Sequence, residues 1–294
     1  MVIVLLKVLK LIKRTFVGLL RNIISLPGLI TQYKVNRANK SLLFTDQFGF
    51  HYWQYPGDNI ALNITRKSIC DSVGVVKYIL NNLRPGSICI DIGASIGGVS
   101  VPMWHRVGHL SGLVITVEAD PAKKAVIEEN LKVNGFPSGY VETMVVSDNQ
   151  GVASFRYFPE APGWNTLGDP QYARDRGVES YTVEVETNTI SQLLEKYNLR
   201  HLTLVKVDTE GAELLILQSM LPLLCSGSVE QVIFEVNPLI LPGMNASAEE
   251  LISLWEGLPY CLYLINDKGD KEALPDIWPS NYVGDCVAIK NNGE

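Results

Sequence analysis

Two short apolar segments, each ending in a carboxylate, constrain the fold of this 294-residue chain more than any other feature. Residues 88–91 end at Asp91 and lead directly into the glycine-rich residues 93–98. Residues 114–117 end at Glu118, 27 residues after Asp91. A strand, a glycine-rich turn, a helix and a second strand with an acid at its end are the parts of a βαβ unit. The sequence therefore predicts a parallel α/β sheet whose ligand lies at the carboxyl ends of the strands.

The glycine-rich turn favours a nucleoside over a phosphorylated ligand. Gly93 and Gly97 let the backbone approach a ligand closely, and Asp91 offers an acceptor to a cation or a hydroxyl. Glu118 stands where an acid binds both hydroxyls of a ribose. The spacing is D-x-G-x-x-x-G rather than G-x-G-x-x-G, so a pyrophosphate, and with it a dehydrogenase, fits less well. An alternative interpretation of this turn, taken alone, is that its glycines serve the packing of the strand against the helix and bind no ligand.

Strands and helices alternate through the rest of the chain, which predicts one parallel sheet covered on both faces. Between the third and fourth strands, residues 152–158 and 181–186 alternate strongly enough to form an added hairpin, joined by a loop at 159–172. The predicted strands lie near 88–91, 113–118, 141–146, 203–208, 231–236, 260–265 and 284–289, and the predicted helices near 97–107, 121–133, 189–197, 211–224 and 247–256.

The front of the chain differs in charge from the remainder. The first 45 residues carry eight Lys and Arg and no acid, so the net charge of -6 divides into +8 and -14. Charges interrupt the apolar run over residues 1–24 before it reaches the ~18 residues that a transmembrane helix needs. We expect residues 1–28 to form a basic amphipathic helix, which lies on an anionic membrane or packs on the protein itself or on a second subunit. The basic residues that fall in one sector of this helix are Lys7, Lys10, Arg14 and Arg21.

These patterns predict three segments: a basic amphipathic segment at 1–40, a lid or N-terminal extension of the core at 41–84, and the α/β domain at 85–294. Residues 41–66 mix aromatic and turn residues, and a helix is expected over 67–83. The five cysteines show no C-x-x-C spacing and the four histidines no H-x-x-x-H pair, which argues against a disulfide framework and a zinc site. We expect reduced cysteines in a cytoplasmic protein, with peripheral membrane association as a further hypothesis.

A second group of polar residues follows the predicted fourth and fifth strands. Lys206 and Asp208 share one side of the fourth strand, and Glu210 opens the helix after it. Glu235 and Asn237 close the fifth strand at the same edge. Carboxylates here are suited to remove a proton from a substrate hydroxyl. Asp208, Glu235 and Asn237 also offer oxygen ligands to a metal ion, an interpretation that we do not favour.

Three motifs resemble the FkbM family of class I S-adenosylmethionine-dependent methyltransferases. DIGASIGG at 91–98 is similar to that family's D-[VI]-G-A-N-x-G loop, with Ser95 in place of Asn. VEADP at 117–121 is similar to its acidic strand end followed by proline. LVKVDTEGAE at 204–213 is similar to its L-K-I-D-V-E-G-A-E signature, the most specific of the three. The resemblance extends over about residues 45–290.

The resemblance implies a Rossmann-like α/β fold with a seven-stranded sheet, to which the hairpin and the N-terminal helix are additions, and S-adenosyl-L-methionine as the cofactor. It implies that Glu118 takes the ribose hydroxyls and that Ser147 and Asp148 lie near the adenine. Asp208 would contact the sulfonium end of the cofactor or the substrate hydroxyl. The candidate bases are Asp208, Glu210 and Glu235. The residues expected around the methionine part of the cofactor are Asp91, Gly93, Ala94, Ser95 and Gly97.

The activity that follows is methyl transfer to a hydroxyl of a glycan, a glycolipid or a secondary metabolite, with no nucleic acid partner. Two alternatives stay open: an N-methyltransferase that acts on an amine or a protein side chain, and a cofactor-binding scaffold with an inert catalytic end. The loop with Trp164, Asn165 and Thr166 is a candidate cover for the acceptor. His51 is a further candidate base, whereas His201 precedes the fourth strand and lies at the wrong end of the sheet.

Overall fold

The computed structural model of the chain describes residues 41–54, 73–108, 110–159, 162–169 and 171–291. The basic segment at 1–40, with its predicted amphipathic helix and membrane contact, and residues 55–72 of the predicted extension lie outside the described residues. No helix within the described part is long and apolar enough to cross a bilayer. By its internal contacts the chain divides into two units, Met1–Asp71 and Ser72–Glu294.

The described part of the first unit is a small hairpin. Strands β1 (Leu42–Thr45) and β2 (His51–Gln54) pair antiparallel. The Asp46 carboxylate accepts hydrogen bonds from the amides of Phe48 and Phe50, at 2.8 and 2.9 Å, and so closes the turn between the strands. These two strands belong to the segment predicted as a lid or an N-terminal extension, of which 41–54 and 73–84 are described.

The second unit alternates strands and helices as predicted. Its helices are α1 (Val73–Asn82), α2 (Ser100–Val107), α3 (Pro121–Val133), α4 (Gln171–Asp175), α5 (Ile190–Lys196), α6 (Glu213–Ser219), α7 (Leu221–Cys225) and α8 (Ala248–Ser253). Its strands are β3 (Ile88–Ile92), β4 (Leu113–Glu118), β5 (Val141–Thr143), β6 (Val145–Val146), β7 (Gly151–Tyr157), β8 (Tyr181–Asn188), β9 (Leu202–Val207), β10 (Val229–Val236), β11 (Tyr260–Ile265), β12 (Lys271–Glu272) and β13 (Gly284–Lys290). Short 3₁₀ helices lie at Pro162–Trp164 and Leu241–Met244.

The main sheet has the strand order β12-β11-β13-β10-β9-β3-β4-β5. Strands β10, β9, β3, β4 and β5 run parallel, and β13 is inserted antiparallel between β10 and β11. The Rossmann-like sheet is therefore confirmed, with the two-residue strand β12 added at its edge. Because β3 lies between β9 and β4, the chain reverses its direction of winding around β3. Open α/β sheets bind their ligands beyond the carboxyl ends of the strands at such a point.

The segment predicted as one strand over 141–146 contributes to two sheets. β5 extends the main sheet, whereas β6 pairs in parallel with β8. β7 and β8 form the antiparallel hairpin, and β6, β8 and β7 together make a separate three-stranded sheet. Val145 packs with Phe155 and Val185 of this small sheet in an apolar cluster of their own. Burial in that cluster explains why the strand divides at Met144.

The helix predicted over 211–224 is also divided. α6 and α7 meet at Met220, because Pro222 has no amide hydrogen and its ring would clash with the carbonyl of Gln218 in a continuous helix. Before α6 the chain forms a turn, in which Glu210 has φ of +56° and Gly211 has φ of +112°. Glu210 therefore precedes the helix and does not open it, which corrects the prediction.

The central strands are buried on both faces and are accordingly almost continuous apolar runs. Ile90 and Ile92 of β3, and Val205 and Val207 of β9, are at most 2% exposed. Lys206 interrupts β9 and is only 4% exposed. A charged group at such a depth is stable only with partners inside the protein.

Candidate active site

The glycine-rich loop after β3 is held against the ends of two neighbouring strands. Gly93 and Ala94 donate backbone hydrogen bonds to the carbonyl of Val117 at the end of β4, at 3.0 and 3.1 Å. Gly93 has φ of +81°, and a Cβ on it would lie 1.8 Å from the carbonyl oxygen of Asp208. Gly97 also has a positive φ, +85°. The loop thus needs glycine at Gly93 for close packing as well as for its backbone conformation.

Glu118 joins the end of β4 to this loop. Its Oε2 accepts a hydrogen bond from the amide of Ser95 at 2.7 Å, and its Oε1 accepts one from the amide of Asp120 at 2.9 Å. Burial raises the pKa of Glu118 to about 7, although both backbone hydrogen bonds oppose this rise. The carboxylate is half-buried, and each of its oxygens has a second lone pair. It can therefore accept hydroxyl hydrogens while it keeps its backbone partners. The Ser95 side chain beside it is exposed.

Asp120 connects this edge of the main sheet to the small sheet. It is the N-cap of α3, where its Oδ1 accepts a hydrogen bond from the amide of Ala122 at 2.8 Å. The same oxygen accepts the hydroxyl hydrogen of Tyr157, also at 2.8 Å. The Tyr157 ring stacks on Tyr181, with the ring centroids 5.6 Å apart. The end of the hairpin is thereby fixed next to Glu118.

A buried ion-pair network crosses from β3 to β9. Asp91 and Lys206 are directly opposite each other in the sheet register. Lys206 Nζ lies 2.9 Å from Asp208 Oδ2 and 3.9 Å from Asp91 Oδ1. The other oxygen of Asp91 accepts the hydroxyl hydrogen of Ser100 at 2.6 Å, and Thr116 donates to that Ser100 oxygen at 3.0 Å. Asp91 is fully buried, whereas the Asp208 side chain remains 31% exposed.

Glu235 lies on the next strand, near the end of β10. It is half-buried, and its Oε2 accepts a hydrogen bond from the Asn237 amide at 3.2 Å. Asp285 of β13 is opposite it in the register. Burial raises the pKa of Glu235 well above its ordinary value, and the negative charges of Asp208 and Glu210 raise it further. A carboxylate with a raised pKa is better suited to take a proton than an ordinary one.

Glu213 shapes the turn between β9 and α6. Its carboxylate accepts hydrogen bonds from the amides of Thr209 and Gly211, at 2.6 and 3.0 Å. Burial raises the pKa of Glu213, and these amide hydrogen bonds counteract the rise. The carbonyl of Glu210, within this turn, accepts the hydroxyl hydrogen of Thr166 at 2.7 Å. Glu213 is therefore a structural residue of the signature segment.

Ser147 and Asp148 follow β6 at the far end of the same edge. The Ser147 amide donates to the carbonyl of Asn188 at 3.0 Å, and its hydroxyl donates to Asp148 at 3.0 Å. Asp148 is exposed and also accepts from the side chain of Asn149 at 2.8 Å. This turn is held by the small sheet, and its predicted position near an adenine stays a prediction.

The donors and acceptors along this edge fit an adenosyl sulfonium compound. Glu118 offers acceptors beside the loop, as the two hydroxyls of a ribose require. The partly exposed Asp208 carboxylate suits a cationic group and would repel a phosphate. S-adenosylmethionine combines a ribose with a positively charged sulfur, so the residues present are of the right chemical type to hold it.

Comparison with known proteins identifies the family. The family model described as "Methyltransferase FkbM domain" matches residues 91–264, which is more than half of the chain. The chain belongs to the FkbM methyltransferase family. The resemblance seen in its motifs is thereby confirmed. The matched range begins at Asp91 and includes Glu118, Asp208 and Glu235.

Among curated proteins, this FkbM-family chain is similar to "Methyltransferase sdnD" of Sordaria araneosa, with 29% identity over 49% of the chain and 64% of the relative. It is also similar to "Methyltransferase 1" of Beauveria bassiana, with 23% identity over 46% of the chain and 58% of the relative. The matches thus span less than two thirds of the length of these relatives. A solved structure of methyltransferase FkbM from Methylobacillus flagellatus aligns with 12% identity and a TM-score of 0.42, over 93% of this chain and 60% of that one.

The loop at 162–169 of the FkbM-family chain lies across the carboxyl ends of β9 and β10. Asn165 accepts a hydrogen bond from the amide of Phe158 at 2.9 Å, and Thr166 donates to Glu210. Further on, the amide of Asp169 donates to the carbonyl of Gly243 at 3.0 Å. Together with the Tyr157 contact to Asp120, these bonds fix the segment at both ends of the edge. Trp164 is half-buried and packs against Phe158.

Sequence reasoning missed the partners that fix the acids of this FkbM-family site. Tyr157, Ser100 and Thr116 all make side-chain hydrogen bonds to the acids or to their immediate partners. Ser100 was detectable in principle, because it stands in the first turn of the helix after the loop. No signal in the sequence singles out Tyr157, because its contact depends on how the hairpin folds back.

Within the second unit, His201 lies away from the acids of this site. In the first unit, Thr45 Oγ1 and His51 Nδ1 lie 2.9 Å apart. His201 precedes β9 and lies 2.9 Å from Glu230, near the start of β10 and away from the strand ends that carry the acids. Among the described residues, no group of three or more His, Cys, Asp or Glu side chains is arranged to hold a metal ion. The four cysteines within that part are free thiols.

Proposed function

We propose that the chain is an S-adenosylmethionine-dependent methyltransferase that methylates a hydroxyl carried on a molecule with an apolar part, such as a glycolipid or a secondary metabolite. The observation that carries this proposal is the row of side chains on adjacent strands. Glu118 on β4, the loop after β3, Asp208 after β9 and Glu235 on β10 follow one another along a single edge. Family membership supports the same reaction.

The residues that would hold the cofactor lie on the first half of this row. Glu118 would bind the ribose hydroxyls, the amides and side chains of the loop would surround the methionine part, and Asp208 would face the sulfonium. When bound, S-adenosylmethionine supplies an electrophilic methyl group. Ser147 and Asp148 are assigned to the adenine end of the cofactor. The residues assigned to its methionine part are Asp91, which is buried beneath the loop, and Gly93, Ala94, Ser95 and Gly97.

Glu235 is the base that we propose for the acceptor hydroxyl. Asp208 already contacts the Lys206 ammonium at 2.9 Å, so its Oδ2 is occupied by that partner. Glu210 lies in a turn with a positive φ, and its backbone carbonyl is held by the hydroxyl of Thr166. The raised pKa of Glu235 and its place beside Asp208 leave it better suited than either to accept a proton.

The surroundings of Glu235 favour an acceptor with an apolar part. Leu239 follows β10, and Tyr282 and Val283 precede β13, so all three flank the strand ends that carry Glu235 and Asp285. Their side chains are 57%, 40% and 42% exposed, respectively. Large apolar side chains exposed beside a polar site are typical of ligand-binding surfaces. A free, fully polar glycan would leave them without a partner.

Calorimetry with S-adenosylhomocysteine tests the cofactor. We expect binding by the wild type, loss of at least tenfold in affinity for Glu118→Ala, and no change for Glu184→Ala, which removes an exposed acid of β8. Radiolabel from methyl-labelled S-adenosylmethionine, offered with lipid extracts and oligosaccharide extracts, then tests transfer. Label in the lipid extract supports the proposed acceptor, and label only in the oligosaccharide extract contradicts it.

The same assay separates the two alternatives. Mass spectrometry of the labelled product distinguishes a methyl on oxygen from a methyl on nitrogen. Tight binding of S-adenosylhomocysteine without transfer to any extract would indicate the scaffold. For residues 1–28 we propose contact with an anionic membrane, which would bring a lipid-linked acceptor to the enzyme. Co-sedimentation with acidic liposomes should be lost when these residues are removed, and equal sedimentation of the truncated chain contradicts the proposal.

A further inference from the structure

Lys206 is a charged residue inside an otherwise apolar strand. Its neighbours Val205 and Val207 are fully buried, and Lys206 itself is 4% exposed. A buried ammonium group without partners would lose its proton or destabilise the fold. Lys206 is therefore either compensated or neutral, and its contacts decide between the two.

The contacts show that it is compensated by two acids. Asp208 Oδ2 lies 2.9 Å from Nζ, within hydrogen-bond distance, and Asp91 Oδ1 lies 3.9 Å from it. Among the described residues, Asp91 Oδ1 has no hydrogen-bond partner, so the ammonium supplies its compensating charge. Burial acts to lower the pKa of Lys206, but Asp208 and Asp91 outweigh it and raise the pKa above its ordinary value. Lys206 is thus a permanent cation and not a base.

The acid that Lys206 holds is surrounded by other acids. The negative charge of Asp208 raises the pKa of Glu235 on β10 and of Glu213 on α6. The charge of Asp285 on β13 raises the pKa of Lys206. Each of these negative charges repels the Asp208 carboxylate. The ammonium at 2.9 Å holds the carboxylate in place against this repulsion. The packing of the Asp208 carbonyl on Gly93 fixes the backbone of this residue, and Lys206 fixes its carboxylate.

We propose that Lys206 is a positioning residue that holds the Asp208 carboxylate at the carboxyl edge, against the repulsion of the neighbouring acids, where the carboxylate attracts the sulfonium cation of the bound cofactor. Asp91, held in turn by Ser100, balances the remaining charge of the ammonium. The inference rests on the proposed function for the identity of the cofactor. It adds a role for the lysine of the LVKVDTEGAE segment, which acts through Asp208 and does not touch the cofactor.

A pair of ligands that differ in charge tests this role. S-adenosylmethionine carries the sulfonium charge and S-adenosylhomocysteine does not, so the ratio of their affinities reports on Asp208, whereas a general loss of structure weakens both equally. The ratio is measured by calorimetry at one fixed pH near neutrality for the wild type, Lys206→Met and Lys206→Arg. Lys268→Met, which removes an exposed lysine, is the matched control.

In Lys206→Met we expect the preference for S-adenosylmethionine over S-adenosylhomocysteine to fall by about fivefold, because the neighbouring acids then repel the Asp208 carboxylate from its place. Lys206→Arg and Lys268→Met should keep the wild-type ratio. An unchanged or increased ratio in Lys206→Met, or an equal loss of both ligands, overturns the proposal.

A second variant decides the matter even if Lys206→Met does not fold. Asp208→Asn keeps a side-chain oxygen for Lys206, and Asp91 remains beside the ammonium, so this variant should fold. It should lower the ratio of affinities relative to the wild type. An unchanged ratio in Asp208→Asn contradicts the proposal. Failure of the wild type to bind S-adenosylhomocysteine would instead contradict the proposed function, and the two failures are therefore distinguishable.

Discussion

Gly93 and Asp208 are in direct backbone contact: a Cβ added to Gly93 would lie 1.8 Å from the carbonyl oxygen of Asp208. The amide of Asp208 also donates to the carbonyl of Ile92 at 3.1 Å. The loop after β3 and the signature segment after β9 are therefore one packed unit. We therefore expect a change in the backbone of either segment to displace the other.

Substitution of Gly93 by alanine should destabilise the chain more than the same substitution at a glycine that has a positive φ but no neighbouring atoms where the Cβ would lie. Gly135 has a similar positive φ, +78°, and a Cβ added to it would meet no atom within 4 Å, so Gly135→Ala should cost about 1–2 kcal/mol of unfolding free energy. Gly93→Ala adds a backbone clash and should cost several kcal/mol, with loss of S-adenosylhomocysteine binding. Urea unfolding measures both variants, and equal losses would show that the contact with Asp208 is unimportant.

Glu118 should make the stability depend on pH. The folded chain holds this proton more tightly than the unfolded chain, since the pKa rises from 4.5 to about 7 on folding. The free energy of unfolding should therefore fall as the pH rises through this interval, and then level off. A shift of this size in a fully buried group corresponds to about 3 kcal/mol. The fall expected for Glu118 is smaller, because its side chain is only half-buried and solvent screens its charge.

The control for this dependence is Glu118→Gln, which cannot ionise. Glutamine loses one of the two backbone hydrogen bonds, so the variant should start with a constant deficit. Urea unfolding at pH 5 and pH 8 should show this deficit shrinking as the pH rises. A deficit of constant size would falsify the assignment of a raised pKa to Glu118.

Glu235→Gln should lower kcat by about 10²- to 10⁴-fold, because the variant has no base for the hydroxyl proton. Binding of S-adenosylhomocysteine should be retained. In the wild type, activity should fall as the pH is lowered through the raised pKa of Glu235, because the protonated acid accepts no proton. Glu230→Gln, on the same strand and paired with His201 near its other end, is the control and should keep activity. Comparable loss in both variants would exclude Glu235 as the base.

Removal of the Tyr157 hydroxyl should loosen the small sheet from the main sheet. Tyr157→Phe loses the hydrogen bond to Asp120 and keeps the ring stack with Tyr181, so the unfolding free energy should fall by about 1.5–3 kcal/mol. Tyr181→Phe keeps the same stack, and its side chain is more than half exposed, so it should be within about 0.5 kcal/mol of the wild type. Equal stability of the two variants would mean that water replaces the bond to Asp120.

Local patterns predicted the part of the site that is built from consecutive residues. Asp91 and Glu118 lie at the ends of strands that the apolar runs identify, and Gly93 is in a turn that the spacing identifies. The parallel arrangement of β10, β9, β3, β4 and β5 also followed from the alternation of elements, whereas the antiparallel direction of β13 did not. These features depend on the periodicity of apolar residues along the sequence and on local backbone conformation, and both are properties of short segments.

Long-range contacts account for what the sequence did not predict. The burial of Lys206 between two acids depends on the pairing of β3 with β9, and the bond from Tyr157 to Asp120 depends on the fold of the hairpin. The division of the strand at 141–146 has the same origin, since Val145 finds its apolar neighbours in Phe155 and Val185. In each case the partner is remote in sequence and nothing nearby marks it.

The ion pair of Asp91 with Lys206 joins positions 115 residues apart in the chain. Every nascent or truncated form that stops short of β9 has the aspartate of β3 without its counter-ion, in a location where an isolated charge is unfavourable. β3 can pair with β9 only once the chain has been synthesised through residue 207, and contacts of such sequence separation slow folding. We therefore expect fragments that end before β9 to leave Asp91 exposed to solvent rather than buried.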